Sequence, residues 1–250
     1  IEGNLIDAYR RCVPGTMLHV DELMRERRTN EDLRSKWFYT ADGEVYSSEN
    51  EPPTLWITRR NVNPVLKNID DAFKQLTTRG NYQVLPADFE AVKSAPDTVA
   101  IDLTQLGLRE DNKYPHIVHL LIDTSKHSKQ LSNYNAEEQK LLLRIYGPTE
   151  KDYTASMQML NDSTHKIEET RIYVLDPKYV TANAKNNAVG RASWLNYFNS
   201  DSYFDANLRN VYYNDGCVRG VSREVSADRR ANAKSGSSMC CIGCTGSYRS

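Results

Sequence analysis

The sequence predicts an α+β fold, with mixed or antiparallel strands and several peripheral helices. Two observations lead to this prediction. Segments with apolar residues three and four positions apart, typical of amphipathic helices, recur along the chain, and short apolar or alternating segments of strand type lie between them. The chain has 250 residues, of which 39% are hydrophobic, so it is long enough to bury a large core as one large domain or two small ones.

The first 62 residues are predicted to form helix, then loop, then strand. Residues 1–40 are predicted to be mainly helical, with an apolar face over residues 18–24 and a charge-rich, solvated segment over residues 25–34. Residues 40–53 are predicted to be a loop, since they contain the turn-forming pairs Asp42-Gly43 and Pro52-Pro53. Residues 55–58 then form a short strand.

The clearest helix in the sequence begins at Asn63 and Pro64. The Asn63 side chain can accept hydrogen bonds from the free amides of the first turn, and Pro64 has no amide hydrogen to leave unpaired there. Gly80 is predicted to end this helix. Its apolar residues fall on one face, which is predicted to pack on a core; they are Val65, Leu66, Ile69, Ala72, Phe73 and Leu76.

Helices and strands also alternate over residues 86–185. Residues 115–124 are the most apolar and are predicted to form a central strand. His116 and His119 fall on opposite sides of that strand, so a shared metal is not expected. Residues 123–185 are predicted to insert helices between strands. The predicted helices are 86–95, 135–146, 150–160 and 177–184, and the predicted strands are 98–103 and 169–175.

One segment near the C-terminus has an unusual composition. Twelve of the 22 residues from Trp194 to Asp215 are Asn, Tyr or Asp. Tyrosine offers a large, stiff contact area, and Asn and Asp offer adaptable hydrogen bonds, a combination typical of binding surfaces. Composition alone equally fits an ordinary polar loop. The flanking segments, RASWL before and CVRGVSREV after, are of strand type, so structure brackets the polar run.

These residues carry a resemblance to a known family. Gly190-Arg-Ala-Ser-Trp194, the Asn/Tyr/Asp/Ser run and Val218-Arg-Gly-Val221 resemble the variable region of proteins diversified by diversity-generating retroelements. The resemblance implies a C-type-lectin-type fold related to the formylglycine-generating enzyme, in which mutagenesis at adenines turns Asn-type codons into Tyr, Asp, Ser and similar residues. A weaker likeness lies in residues 82–89, YQVLPADF. We call residues 191–221 the Asn/Tyr segment.

The resemblance implies a binding protein whose Asn/Tyr segment meets a protein or glycan on another cell or virus. A scaffold role is expected for Arg191, Trp194, Arg209 and Arg219. The residues predicted to contact the ligand are Asn196, Tyr197, Asn199, Asp201, Tyr203, Asp205, Asn207, Asn210, Tyr212, Tyr213, Asn214 and Asp215. Two alternatives remain open: an enzyme using Asp201, Asp205 or Asp215, and a structural subunit with a buried Tyr-rich face.

Enzyme, metal and cofactor signatures are absent from the sequence. It contains no P-loop, GxGxxG, GxSxG, HExxH or EF-hand pattern. The lectin calcium triplets are missing too, since Glu51-Pro52 is followed by Pro53, and Tyr213-Asn214-Asp215 has Tyr where the family has Trp. Neither catalytic residues nor metals or cofactors are therefore predicted. A net charge of −1 argues against nucleic acid as a partner, and no apolar run is long enough to span a membrane.

The chain is predicted to be a single ligand-binding domain over residues 1–228 with a flexible, cysteine-containing tail over residues 229–250. A zinc site or a redox pair at Cys240, Cys241 and Cys244 is an alternative to a plain thiol-bearing tail. The sequence indicates neither the oligomeric state nor the compartment, and a cell or virion surface is favoured over the cytoplasm.

Overall fold

Helices pack on both faces of one large sheet in the computed structural model, which describes residues 17–34, 38–49, 52–79, 81–110, 116–124, 130–162, 167–195, 202–205, 217–221 and 239–242. In these ranges the strands are β1 (Phe38–Ser47), β2 (Thr54–Thr58), β3 (Tyr82–Gln83), β4 (Val99–Asp102), β5 (Leu108–Glu110), β6 (Ile117–Asp123), β7 (Glu169–Leu175), β8 (Val189–Leu195), β9 (Ser202–Asp205), β10 (Cys217–Val221) and β11 (Met239–Ile242). The predicted α+β class is confirmed.

The helices agree closely with the sequence patterns. The α-helices of the described ranges are α1 (Val20–Thr29), α2 (Pro64–Lys67), α3 (Ile69–Arg79), α4 (Pro86–Ser94), α5 (Ala136–Tyr146), α6 (Glu150–Asp162) and α7 (Pro177–Asn183). Asn63 accepts hydrogen bonds from the amides of Val65 and Leu66, which confirms its predicted role as a cap. The predicted single helix after Asn63 is divided at Asn68 into α2 and α3. None of the helices in the described ranges has the length and apolarity needed to cross a membrane.

Strands β1 and β8 form the antiparallel pair at the centre of the sheet. The outer edge of β1 pairs with β10 at residues 38–39 and with β2 at residues 43–47. The outer edge of β8 pairs with β9 at residues 194–195 and with β3 at residues 189–190. The sheet therefore branches on both sides of the central pair. One branch runs β11-β10-β1-β8-β9-β7-β6-β5, and the other runs β4-β2-β1-β8-β3.

Each face of the central pair is covered by its own hydrophobic cluster. The larger cluster includes Phe38, Tyr46 and Leu195 from the sheet together with apolar residues of α1, α5, α6 and α7. The smaller cluster packs Val45 of β1 against apolar residues of α2, α3 and α4. All ten residues of β1 are consequently buried, as expected for a strand enclosed on both faces.

The prediction of a loop over residues 40–53 was wrong, because residues up to Ser47 belong to β1. The same strand takes residues 38–40 out of the segment predicted to be mainly helical; within that segment α1 covers residues 20–29, and residues 1–16 and 35–37 lie outside the described residues. Distant partners stabilise the Asp42-Gly43 pair in the strand. The Asp42 carboxylate accepts the Val20 amide at 2.7 Å, and the buried Asn63 side chain packs where a Cβ on residue 43 would lie. These contacts outweigh the local turn preference.

The prediction that residues 115–124 form a central strand also needs correction. β6 pairs on both sides, with β5 and β7, but it lies next to the edge of the sheet and is not central. Met239–Ile242, within the predicted flexible tail, forms β11 and pairs with β10. These residues, MCCI, are the apolar stretch of the C-terminal 25 residues, so they can form a strand that the surrounding Ser, Gly and Arg residues disfavour. The predicted insertion over residues 123–185 contains α5, α6 and α7, together with the predicted strand β7.

Candidate functional site

The described parts of the Asn/Tyr segment lie in three strands of the sheet. Residues 191–195 are in β8, residues 202–205 form β9, and residues 217–221 form β10. The predicted strands on either side of the polar run are thereby confirmed. β8 and β10 are not neighbours, because β1 lies between them and pairs with both. The start and end of the segment are therefore each held by the same strand from another part of the chain.

A single row of backbone pairs joins these strands to the core. Leu195 pairs with Phe38 on one side and Phe204 on the other, Phe38 pairs with Cys217, and Phe204 pairs with Ile172 of β7. Phe38, Leu195 and Ile172 belong to the larger cluster. Adjacent strands are about 4.8 Å apart, so the row brings the ends of β8, β9 and β10 within about 14 Å of one another.

Two of the twelve predicted ligand-binding residues lie in β9. Tyr203 pairs with Arg171 of β7, and Asp205 pairs with Trp194 of β8. Tyr203 and Asp205 are the two residues on either side of Phe204 in β9, so neither of them is part of the core row. The other ten lie outside the described residues: Asn196, Tyr197, Asn199, Asp201, Asn207, Asn210, Tyr212, Tyr213, Asn214 and Asp215. Of the predicted scaffold residues, Arg209 also lies outside them.

Strand β8 carries a buried arginine on the face of the larger cluster. Val189 and Leu195 belong to that cluster. Arg191 and Ser193 lie between them at steps of two residues, so all four are on the same face of β8. Arg191 and Ser193 are almost fully buried, with 1% and 0% of their surface exposed. The sequence predicted a scaffold role for Arg191, and the residue directly opposite it on β1 is a glutamate, Glu44. The Asn/Tyr segment thus begins with a buried arginine that lies opposite a buried glutamate of β1.

Glu44 is the centre of a buried polar cluster. Its carboxylate accepts a hydrogen bond from the Tyr46 hydroxyl, and the Tyr46 oxygen accepts the amide of Leu175, the last residue of β7, at 3.4 Å. Burial raises the pKa of Glu44 to about 7, although the hydrogen bond from Tyr46 and the charge of Arg191 act in the opposite direction. The cluster connects β1, β7 and β8.

A second buried cluster surrounds Asp42. Its carboxylate lies 3.3 Å from His19 Nδ1 and 3.2 Å from the Arg144 guanidinium of α5, and Arg59 approaches to 3.8 Å. Arg59 also binds Asp21 of α1 at 2.6 Å. Burial alone would raise the pKa of Asp42, but the hydrogen bond with His19 and the charges of Arg144 and Arg59 outweigh it and lower the pKa. This network fixes α1 and α5 against β1.

The sequence alone does not indicate that Asp42, Glu44 and Arg144 belong to buried polar clusters. One signal was present, because Asp42, Glu44 and Tyr46 are spaced two apart, as polar residues on one face of a strand would be. The turn-forming pair Asp42-Gly43 favoured a loop more strongly than this spacing favoured a strand. Both clusters are buried, so they can support a surface but cannot touch a ligand themselves.

A cavity of about 580 Å³ lies where β6 meets α6, and its lining includes Asp123, Glu150, Lys151, Tyr153 and Met157. This volume is within the range that small ligands occupy. Asp123 pairs with Glu169, whose neighbour Thr170 pairs with Ser202. The cavity is therefore at the end of the sheet where β9 begins.

In the described ranges, no three His, Cys, Asp or Glu side chains come close enough to hold a metal ion. His116 stacks on Tyr179, and His119 lies beside Tyr173.

Comparison with known proteins identifies the architecture. No family model matches the chain, and no curated protein matches it either. A solved structure from Nanoarchaeota, from work on how the C-type lectin fold accommodates massive sequence variation, is similar to this chain with a TM-score of 0.58. The two sequences are 14% identical, and the match covers 82% of this chain and 88% of the other. The chain therefore has a C-type lectin fold, as the resemblance in its Asn/Tyr segment implied.

Proposed function

We propose that this is a ligand-binding protein of the receptor or adhesin type, which presents its Asn/Tyr segment to a protein or glycan on another cell or virus. We further propose that a diversity-generating retroelement diversifies this segment. The observation that carries the proposal is the position of the segment in the sheet: its beginning and its end are separate strands, β8 and β10, and both pair with β1.

This arrangement suits a surface that must change in sequence without changing the fold. The strands that begin and end the segment are joined to buried residues by the core row, and β1 is enclosed on both faces. Binding residues are commonly carried on connections that a rigid scaffold positions. Residues between the strands can then vary while the scaffold keeps its pairing.

The residue types of the segment support direct contact with a partner. Tyrosine contributes contact area with only two torsions to restrict, and Asn and Asp supply hydrogen bonds to polar groups of proteins or sugars. The Nanoarchaeota protein supports the same interpretation, because the C-type lectin fold accommodates massive sequence variation there.

The genomic neighbourhood tests the proposed diversification. We expect a reverse transcriptase gene and a template repeat that nearly matches the codons for residues 191–221 and differs from them at adenines. A neighbourhood without either would contradict the retroelement part of the proposal and leave ligand binding to be tested separately.

Alanine replacement of three tyrosines tests the binding surface. The triple variant Tyr203→Ala, Tyr212→Ala, Tyr213→Ala should lose capture of glycans on an array and of intact cells, while its melting temperature stays within a few degrees of the wild type. Tyr82→Ala is the matched control, because Tyr82 is a core tyrosine with 1% exposure and its loss should lower the melting temperature strongly. A similar loss of stability in the triple variant would show that these tyrosines are core residues.

A further inference from the structure

Strands β7 and β8 are joined by a third strand at one end only. β9 pairs with residues 170–172 of β7 and with residues 194–195 of β8. Towards the other end, no strand of the described residues lies between Leu175 of β7 and Arg191 of β8. In this part of the structure the described strands leave an opening beside the first residues of the Asn/Tyr segment.

Side chains bridge this opening. Among the described residues no strand pairs with Leu175 on this side, and its amide donates to the Tyr46 hydroxyl. Tyr46 donates in turn to Glu44, and Glu44 pairs across the strands with Arg191. Since Glu44, Tyr46 and Arg191 are all at most 1% exposed, this chain of contacts replaces backbone pairing in the interior of the protein.

The charged groups that act on Glu44 lie on β8 and on β1 itself. Arg191 faces it from β8, and Asp42 lies on the same face of β1. Asp42 is itself balanced by His19, Arg59 and Arg144. Ser193 lies beside the Glu44 carboxyl and favours its ionised form, and Arg191 Nε is buried without a hydrogen-bond partner in the described part of the chain. Such groups are sensitive to any change in their charge, because burial strengthens electrostatic interactions.

We propose that Glu44 and Tyr46 are positioning residues that brace β8 against β7, and so hold the start of the Asn/Tyr segment in its binding geometry. This inference rests on the proposed function. The brace predicts that the protonation state of the Glu44 carboxyl, which is buried and remote from the ligand, controls how firmly β8 is held. Ionised Glu44 is disfavoured by burial, whereas its protonated form is accommodated without that penalty.

Hydrogen–deuterium exchange of the full chain between pH 5 and 8 tests the brace. After correction for intrinsic rates, protection of the amides of residues 189–195 should fall by up to about tenfold per pH unit from pH 5 to 7 and level off above 7, because opening β8 lets Glu44 ionise. Glu44→Gln should remove this pH dependence. Glu169→Gln is the matched control, since Glu169 lies in the same sheet with an exposed side chain, and it should keep the wild-type profile.

A second variant keeps the test decisive if Glu44→Gln does not fold. Tyr46→Phe removes only the hydroxyl, so exchange at Leu175 should accelerate at least tenfold while the amides of α4 (Pro86–Ser94) stay unchanged. A wild-type profile for residues 189–195 without pH dependence, or equal acceleration of Leu175 and α4 in Tyr46→Phe, would overturn the brace. Exchange is measured without ligand, so a failed brace and a failed ligand-binding surface give different results.

Discussion

Replacing Gly43 by alanine should destabilise the protein through a single contact with Asn63. A Cβ atom on residue 43 would lie 2.5 Å from Asn63 Oδ1 and 2.7 Å from its Cγ, closer than any real contact of this kind. The Asn63 side chain is buried and caps α2 through Val65, and its amide donates to the carbonyl of Ala41 at 3.1 Å. The added methyl group therefore displaces a buried side chain and breaks the hydrogen bonds that it makes.

The size of the effect follows from the bonds that Asn63 would lose. Removal of an asparagine cap costs about 0.5–2 kcal/mol, and leaving buried polar groups without partners adds about 1–3 kcal/mol. We therefore expect Gly43→Ala to lower the free energy of unfolding by about 2–4 kcal/mol. For a chain of this length, that corresponds to a decrease of about 6–12 °C in melting temperature.

Urea denaturation of a double-mutant cycle measures this coupling. Asn63→Ala alone should also be destabilising, but it removes the clash, so adding Gly43→Ala to it should change the free energy of unfolding by less than about 0.5 kcal/mol. Gly107→Ala is the control, because its Cβ would meet only the end of a flexible side chain, Glu138, at 3.2 Å. Additive losses in the double variant would refute the assigned contact.

Four further predictions concern the buried clusters and a helix cap. Asp42→Asn should lower the free energy of unfolding by about 3–5 kcal/mol, measured in urea, because it leaves the buried Arg144 without its counter-charge; a loss below about 1 kcal/mol would contradict the network. The pKa of Asp42 is lowered below 3.8 in the fold. The stability that ionised Asp42 contributes is therefore fully present above pH 3.8 and is lost as the pH falls through the folded pKa. An acid titration should show this loss of stability in the wild type and not in Asp42→Asn. The pKa of Glu44 is raised from 4.5 to about 7, so wild-type stability should decline by about 3 kcal/mol as the pH rises from 4.5 to 7, and Glu44→Gln should not decline. Asn135→Ala removes the cap of α5 and should cost about 1 kcal/mol by thermal unfolding, whereas alanine at the exposed Asn133 should have little effect.

The elements that the sequence predicts well are those determined by neighbouring residues. Asn135 and Asp176 cap the helices that follow them through amides two or three positions away. Strand β7 has the bounds that its apolar and alternating residues indicate. Such short-range contacts can be inferred from the order of residues in the sequence alone.

Strand β1 could not be predicted for the opposite reason. The partners of Asp42 include Val20 and Arg144, 22 and 102 residues away, and the space that requires glycine at residue 43 is occupied by Asn63. No local pattern contains these contacts. The strands that bracket the Asn/Tyr segment were predictable from their composition, whereas the cluster at Glu44 was not, because it forms only when β1, β7 and β8 come together.

Because β1 separates β8 from β10, the Asn/Tyr segment should also tolerate changes in length. β9 is fixed by pairing with β7 and β8, and β10 is fixed by pairing with β1, so residues inserted between Asp205 and Cys217 lengthen a chain between two anchored points. The entropy of closing such a loop grows slowly, by about 0.6 kcal/mol for each doubling of its length. Under the proposed function, insertions and deletions as well as substitutions would add to the surfaces that the segment presents.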